Sequence, residues 1–171
     1  MKKNNGNEGR NGKDGLAAAP ASHASRPSSQ KPSPYAAEEK KSLSAVREIY
    51  AELRPVDRAC ALRTECCRFR LTGKIPHLTR GEALVAARAF KATGRKFLPE
   101  RADCPLLDPV TARCLIYESR PFGCRTHFCA AAGGAYARRD VADLIRRLEA
   151  IARNLGGREA RRIADAIQEW L

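Results

Sequence analysis

The cysteines of this chain are concentrated in one region. All seven lie between Cys60 and Cys129, and Cys66 and Cys67 are adjacent. An odd number of cysteines cannot all be paired in disulfides, and a reducing compartment disfavours a disulfide framework altogether. A cluster of thiols in a short stretch therefore predicts metal ligation. The candidate metal ligands are Cys60, Cys66, Cys67, Cys104, Cys114, Cys124 and Cys129.

The spacing of these cysteines indicates a metal site but does not identify the metal. Thiolate is a soft ligand that suits zinc and iron–sulfur clusters. A zinc ribbon would show two CxxC pairs, and this sequence has none. It also lacks the closely spaced cysteine triplet of common ferredoxins. The alternative to a metal site is a set of reactive or buried free thiols.

The first forty residues are unsuited to a hydrophobic core. Gly, Asn, Ser, Pro, Ala and Lys dominate them, and such a segment buries too little apolar surface to offset the entropy of ordering it. We therefore expect a disordered basic tail over residues 1–37 and one cysteine-cluster domain over residues 38–171. Within that domain, the metal core would cover residues 60–129 and a C-terminal helical hairpin residues 138–171.

The hydrophobic pattern predicts a mainly α fold with one short β-hairpin. Apolar residues at helical spacing indicate helices over residues 38–53 and 79–93, and Thr79 with Glu82 fits a capping box. A turn at Asp108-Pro109 predicts the hairpin over residues 104–117. The clearest helical stripe runs from Val141 to Leu155, and a shorter helix follows.

The charge pattern leaves the choice of partner open. The formal net charge is +13; residues 1–40 account for +3 of it, which leaves +10 on residues 41–171. Nucleic-acid binding is one interpretation and a solvated basic surface is the other, which the low aromatic content favours. An unidentified protein partner is also compatible with this surface. No apolar run approaches the roughly 20 residues that span a bilayer, and no signal peptide is evident, so we expect a cytoplasmic protein without membrane contact.

Two blocks of this sequence form a recognisable pattern. The first block contains Cys66-Cys67-Arg68, Ile75, Leu78-Thr79 and Glu82. The second contains Cys104-Pro105-Leu106-Leu107-Asp108, the run from Arg113 to Pro121, and Cys124-Arg125. Together these blocks resemble the cysteine-cluster family often called YkgJ-like, which is known for a CxxCxxCC signature and for zinc or iron chelation. One position departs from the signature, because Arg63 stands where the family has its second cysteine.

The resemblance implies a metal centre built on the cysteines. Since arginine does not ligate metals, either the first block supplies one ligand fewer or Cys129 replaces the missing thiolate, with His127 as another candidate. We expect an iron–sulfur cluster ahead of zinc, because CxxC pairs are absent and relatives of the family are suspected of carrying clusters. Some relatives are similar to enzymes that methylate flagellin, so a metal-dependent protein-modifying enzyme of methyltransferase type is an alternative function.

Overall fold

The computed structural model describes residues 36–53, 64–157 and 159–171, and this part of the chain is mainly helical, as predicted. Its helices are α1 (Ala36–Glu52), α2 (Phe69–Thr72), α3 (Arg80–Ala92), α4 (Phe122–Thr126), α5 (Arg138–Asn154) and α6 (Ile163–Gln168). Single 3-10 turns cover Glu65–Cys67, Tyr117–Ser119 and Ala130–Ala132. The predicted tail lies outside the described residues, except for Ala36 and Ala37, which begin α1. No helix of the described residues is long and apolar enough to cross a membrane.

Helix α3 lies at the centre of the fold, between two apolar clusters. Val85 on one side of it packs with Val46 and Ile49 of α1 and with Leu148 of α5. Phe90 on the other side packs in the cluster that contains the buried residues of segment 104–116 and of α6. Because α3 is buried on both sides, eight of its residues are buried. The capping box predicted at its start is present.

The two C-terminal helices follow each other as predicted, but they pack on different sides of α3. Helix α5 packs against α1 and α3, whereas α6 packs against α3 and β1. Both helices contact α3, and the packing of α5 and α6 against each other stays a prediction. A short antiparallel sheet explains the position of α6, because β1 (His77–Leu78) pairs with β2 (Arg161–Arg162) immediately before that helix.

The predicted hairpin over residues 104–117 is present in a very short form. Leu107 and Cys114 form one antiparallel bridge, and the N–H of Leu115 donates to the carbonyl of Leu106 at 2.8 Å. Asp108 closes the turn, because its Oδ1 accepts the backbone N–H of Val110 at 3.0 Å and that of Thr111 at 2.9 Å. These bonds lower the pKa of Asp108, which identifies it as a turn residue.

Gly81 allows α1, α3 and α5 to approach one another closely. A Cβ at this position would meet Cγ2 of Ile151 and Cγ2 of Val46, each at 3.0 Å. We expect Gly81→Ala to lower the free energy of unfolding by about 1–3 kcal/mol, because the inserted methyl group overpacks the contact. Urea unfolding would measure this. Gly123→Ala is the control, since a Cβ there meets nothing within 4 Å; equal stability of the two variants would contradict the prediction.

Candidate metal centre

Five of the predicted cysteine ligands line one cavity of about 530 Å³. They come from four separate segments of the chain: the turn at Glu65–Cys67, the two arms of the short hairpin, and α4. These cysteines are Cys66, Cys67, Cys104, Cys114 and Cys124. The clustering predicted from sequence therefore brings together residues that are up to 58 positions apart in the chain.

Backbone hydrogen bonds fix the two closest cysteine-bearing segments to each other. The N–H of Cys104 donates to the carbonyl of Cys67 at 2.8 Å, so the start of the hairpin is held against the turn that carries Cys66 and Cys67. This turn is tight, because the N–H of Cys67 donates to the carbonyl of Thr64 at 2.9 Å. Backbone hydrogen bonds thus hold the segment of Cys104 against the segment of Cys66 and Cys67 independently of any metal.

The other predicted ligands are placed differently. Cys60 lies outside the described residues, as does Arg63. Cys129 precedes the turn at Ala130–Ala132 and is half-buried, but it does not line the cavity, whereas His127 does. Replacement of the missing thiolate by Cys129 stays a prediction, and the lining makes His127 the better-placed alternative.

The thiols of the cavity interact with one another. The pKa of Cys67 is raised to about 12, first by a hydrogen bond with Cys104. The pKa of Cys124 is raised to about 12 by burial and then by the charges of neighbouring cysteines. A hydrogen bond with Cys67 raises the pKa of Cys66 above its ordinary range, and burial raises that of Cys114. Without a metal, these groups are protonated thiols at neutral pH, and metal binding would displace their protons.

The donor set fits a soft metal, although the ligands do not already form a coordination sphere. In residues 36–53, 64–157 and 159–171, no group of three or more His, Cys, Asp or Glu side chains is arranged to hold a metal ion. The thiols surround the cavity instead of converging on one point. Clustered thiols are nevertheless the ligands that zinc sites and iron–sulfur clusters use.

Arg120 and Arg125, which both flank Cys124 in sequence, have different roles. The Nε of Arg125 donates to the carbonyl of Arg120 at 2.9 Å, and its Nη2 donates to the carbonyl of Glu118. The guanidinium also lies 4.5 Å from the centre of the Tyr50 ring. Arg125 therefore stabilises the turn before α4 and its contact with α1.

Arg120, in contrast, lines the cavity. Its positive charge partly opposes the rise in the pKa of Cys66 and of Cys114, which a hydrogen bond with Cys67 and burial respectively cause. Its guanidinium lies 4.2 Å from the centre of the Tyr117 ring. Its Nε is buried and has no hydrogen-bond partner among the described residues. Arg120 is thus the arginine that acts on the thiols.

The buried carboxylate of Glu82 connects the core to the metal-binding region, a role that the sequence analysis missed. Its Oε2 accepts the N–H of Thr79 at 2.9 Å, and its Oε1 accepts the N–H of Phe122 at 2.8 Å. Phe122 is the first residue of α4, which carries Cys124. Burial raises the pKa of Glu82 above the ordinary value of 4.5, and the hydrogen bonds partly oppose this. The sequence offered one indication of this role, because Thr79 and Glu82 both belong to the first block that resembles the family.

Comparisons with known proteins support this site. No curated protein and no solved structure matches the chain. The model of one family, CxxCxxCC, described as a putative zinc- or iron-chelating domain, matches residues 58–144. This range is about half of the chain, and it contains all five cysteines of the cavity. The chain therefore belongs to the CxxCxxCC family of zinc- or iron-chelating domains.

Proposed function

We propose that this domain holds an iron–sulfur cluster, with ligands drawn from the cysteines of the cavity together with Cys60, and with His127 or Cys129 as the remaining candidate. The observation that carries this proposal is the arrangement of five thiols from four segments around one cavity. Iron–sulfur clusters are bound by thiolates in this way, and when bound they supply one-electron transfer at a potential that nearby charges and hydrogen bonds set.

Two features favour a cluster over a structural zinc ion. Structural zinc sites are closed by four protein ligands and typically use pairs of closely spaced cysteines. Here the thiols line an open cavity, and their sequence contains no CxxC pair. Zinc in the same thiol set is the alternative cofactor.

A second function, a metal-dependent enzyme that modifies a protein, is favoured by the same cavity. Apolar side chains make up much of the lining beside the thiols, including Phe69, Leu106 and Ile163. A site used only to stabilise the fold needs no such space. In this second function, the chain's own contribution would be to bind a reactant next to the metal and to exclude water from it.

Purification of the full chain without oxygen tests the proposed function. We expect a coloured protein with broad visible absorption that contains iron and acid-labile sulfide, because thiolate-ligated clusters have these properties. Absorption spectroscopy and elemental analysis of the same sample are the measurements. Stoichiometric zinc in a colourless sample would support the alternative cofactor. A chain free of metal, with all its thiols titratable, would overturn the proposal.

A further inference from the structure

The cavity beside the cysteines has the size of a small-molecule binding site. Its volume of about 530 Å³ falls within the roughly 300–1,000 Å³ that is typical of ligand pockets. Thiols account for one part of the lining, and buried apolar side chains from α2, the hairpin and α6 account for another: Phe69, Leu106 and Ile163. A metal centre would use the thiols and leave the apolar part of the lining available.

Apart from the thiols, which would ionise on binding a metal, the charged side chains that line the cavity have one sign. Lys74, Arg113 and Arg120 line it, and none of its described lining residues is Asp or Glu. Within the described part of the chain, no carboxylate forms an ion pair with these three side chains. Cations that face a shared cavity without a carboxylate attract an anion.

Arginines elsewhere on the described surface show the contrast. Arg70 pairs with Asp103 at 3.2 Å, and Arg95 pairs with Asp108 at 3.1 Å. Arg147 forms two hydrogen bonds with the carboxylate of Glu52. These three arginines are each paired with a carboxylate, whereas Lys74, Arg113 and Arg120 at the cavity are not paired with one among the described residues.

The three cations do not all serve the thiols. Arg120 lines the cavity with the cysteines, and its charge acts on Cys66 and Cys114, so it is positioned to offset the charge of a thiolate-ligated centre. Lys74 follows α2, and Arg113 precedes Cys114; both side chains are exposed at the cavity. In addition, the buried Nε of Arg120 is a donor without an acceptor among the described residues, and a buried donor is costly unless something pairs with it.

We propose that this cavity binds a small organic anion, a carboxylate or phosphate group on an apolar body, next to the metal centre. The anionic group pairs with Lys74 and Arg113, since guanidinium and ammonium groups form charge-assisted hydrogen bonds with both kinds of oxyanion. The apolar body packs on the lining formed by Phe69, Leu106 and Ile163. The proposal rests on the proposed function only in placing the ligand beside a metal.

Calorimetric titration of the metal-loaded full chain tests this inference, with four probes. Phenyl phosphate and phenylacetate carry both an anion and an apolar body, phenylacetamide lacks the charge, and inorganic phosphate lacks the apolar body. We expect at least one of the two organic anions to bind about tenfold or more tightly than both phenylacetamide and inorganic phosphate. Its binding should have a negative heat-capacity change, because apolar surface is buried. The relative affinity of phenyl phosphate and phenylacetate identifies the oxyanion.

Substitutions then locate the binding. Arg113→Gln and Lys74→Gln should each weaken binding of the preferred anion by about tenfold. Arg146→Gln, at an exposed arginine of α5 paired with Asp143, should leave it unchanged. Equal binding of phenylacetamide, no binding by any probe, or equal loss in all three variants would overturn the inference.

Metal analysis of the same samples separates the two proposals: a metal-loaded chain that binds no organic anion refutes only the inference, and a chain without metal refutes the proposed function.

Discussion

The Cys67→Ser variant is expected to retain little bound metal and to unfold at a lower temperature than the wild-type chain. Cys67 is the thiol with the most connections in the cavity: its pKa responds to Cys66, Cys104 and Cys114, and it in turn raises the pKa of Cys124. Loss of an outer-shell partner alone costs about 10–100-fold in metal affinity, so loss of a ligand should cost more than about 100-fold.

The stability of the variant should fall with its metal content. In a small metal-centred domain, the free energy of metal binding contributes to the free energy of folding. The carbonyl of Cys67 still accepts the N–H of Cys104 in the serine variant, since only the side chain changes. Any destabilisation beyond the replacement of one half-buried sulfur atom is therefore due to the metal, and removal of metal by a chelator should bring the wild-type chain close to the variant.

Cys129→Ser is the matched control for this experiment. The substitution is the same, and Cys129 lies outside the lining of the cavity, so we expect metal content and melting temperature close to those of the wild type. Elemental analysis and thermal unfolding of both variants are the measurements. Loss of metal in Cys129→Ser would show that this thiol replaces the ligand missing at Arg63. Retention of full metal in Cys67→Ser would remove Cys67 from the ligand set.

Elements set by local sequence were predictable. The stripe from Val141 to Leu155 predicted α5, because apolar residues at helical spacing lie on one face of a helix and can be buried together. The capping box of Thr79 and Glu82 and the turn at Asp108 were also predicted, since each depends on hydrogen bonds within a few residues. The metal site was indicated for a different reason: all the candidate thiols lie within residues 60–129, although distant contacts bring their segments together.

Features that depend on distant contacts were not predictable in this way. The pairing of His77–Leu78 with Arg161–Arg162 involves two-residue strands, which are too short to show a β period. The placement of α5 and α6 on different sides of α3 depends on which apolar surface each helix meets, and helical period alone does not specify that. Likewise, nothing in the spacing of Cys129 indicated that it lies outside the cavity.

Glu82→Gln should lower the stability of the protein although the two side chains have nearly the same shape. The carboxylate accepts one backbone N–H on each oxygen, from Thr79 and from Phe122. An amide has only one acceptor oxygen, so one of the two donors would face an NH₂ group. A buried donor without a partner costs about 1–3 kcal/mol. Glu82→Ala should cost more, because both N–H groups lose their acceptor and a cavity remains.

The pH dependence of this effect has a definite sign. Burial raises the pKa of Glu82 above 4.5 in the folded chain. In the pH window between 4.5 and this raised pKa, the folded state therefore binds more protons than the unfolded state. Stability contributed by this group is therefore greatest below 4.5, falls as pH rises through that window, and is constant above it. Glutamine does not titrate, so the stability difference between wild type and Glu82→Gln should shrink as pH rises through the window. A difference that grows with pH would contradict the assignment.

Urea unfolding over the acidic to neutral range, with metal content measured in each sample, tests both expectations. Glu149→Gln, at an exposed position of α5, is the control and should match the wild type. Because Phe122 begins the helix that carries Cys124, Glu82→Gln should also weaken metal retention against a chelator, whereas Gly81→Ala should destabilise the helix contacts without this loss. If both variants lose metal equally, the link from Glu82 to the cysteine cavity is only an effect of global stability; if Glu82→Gln alone loses it, the buried carboxylate positions Cys124.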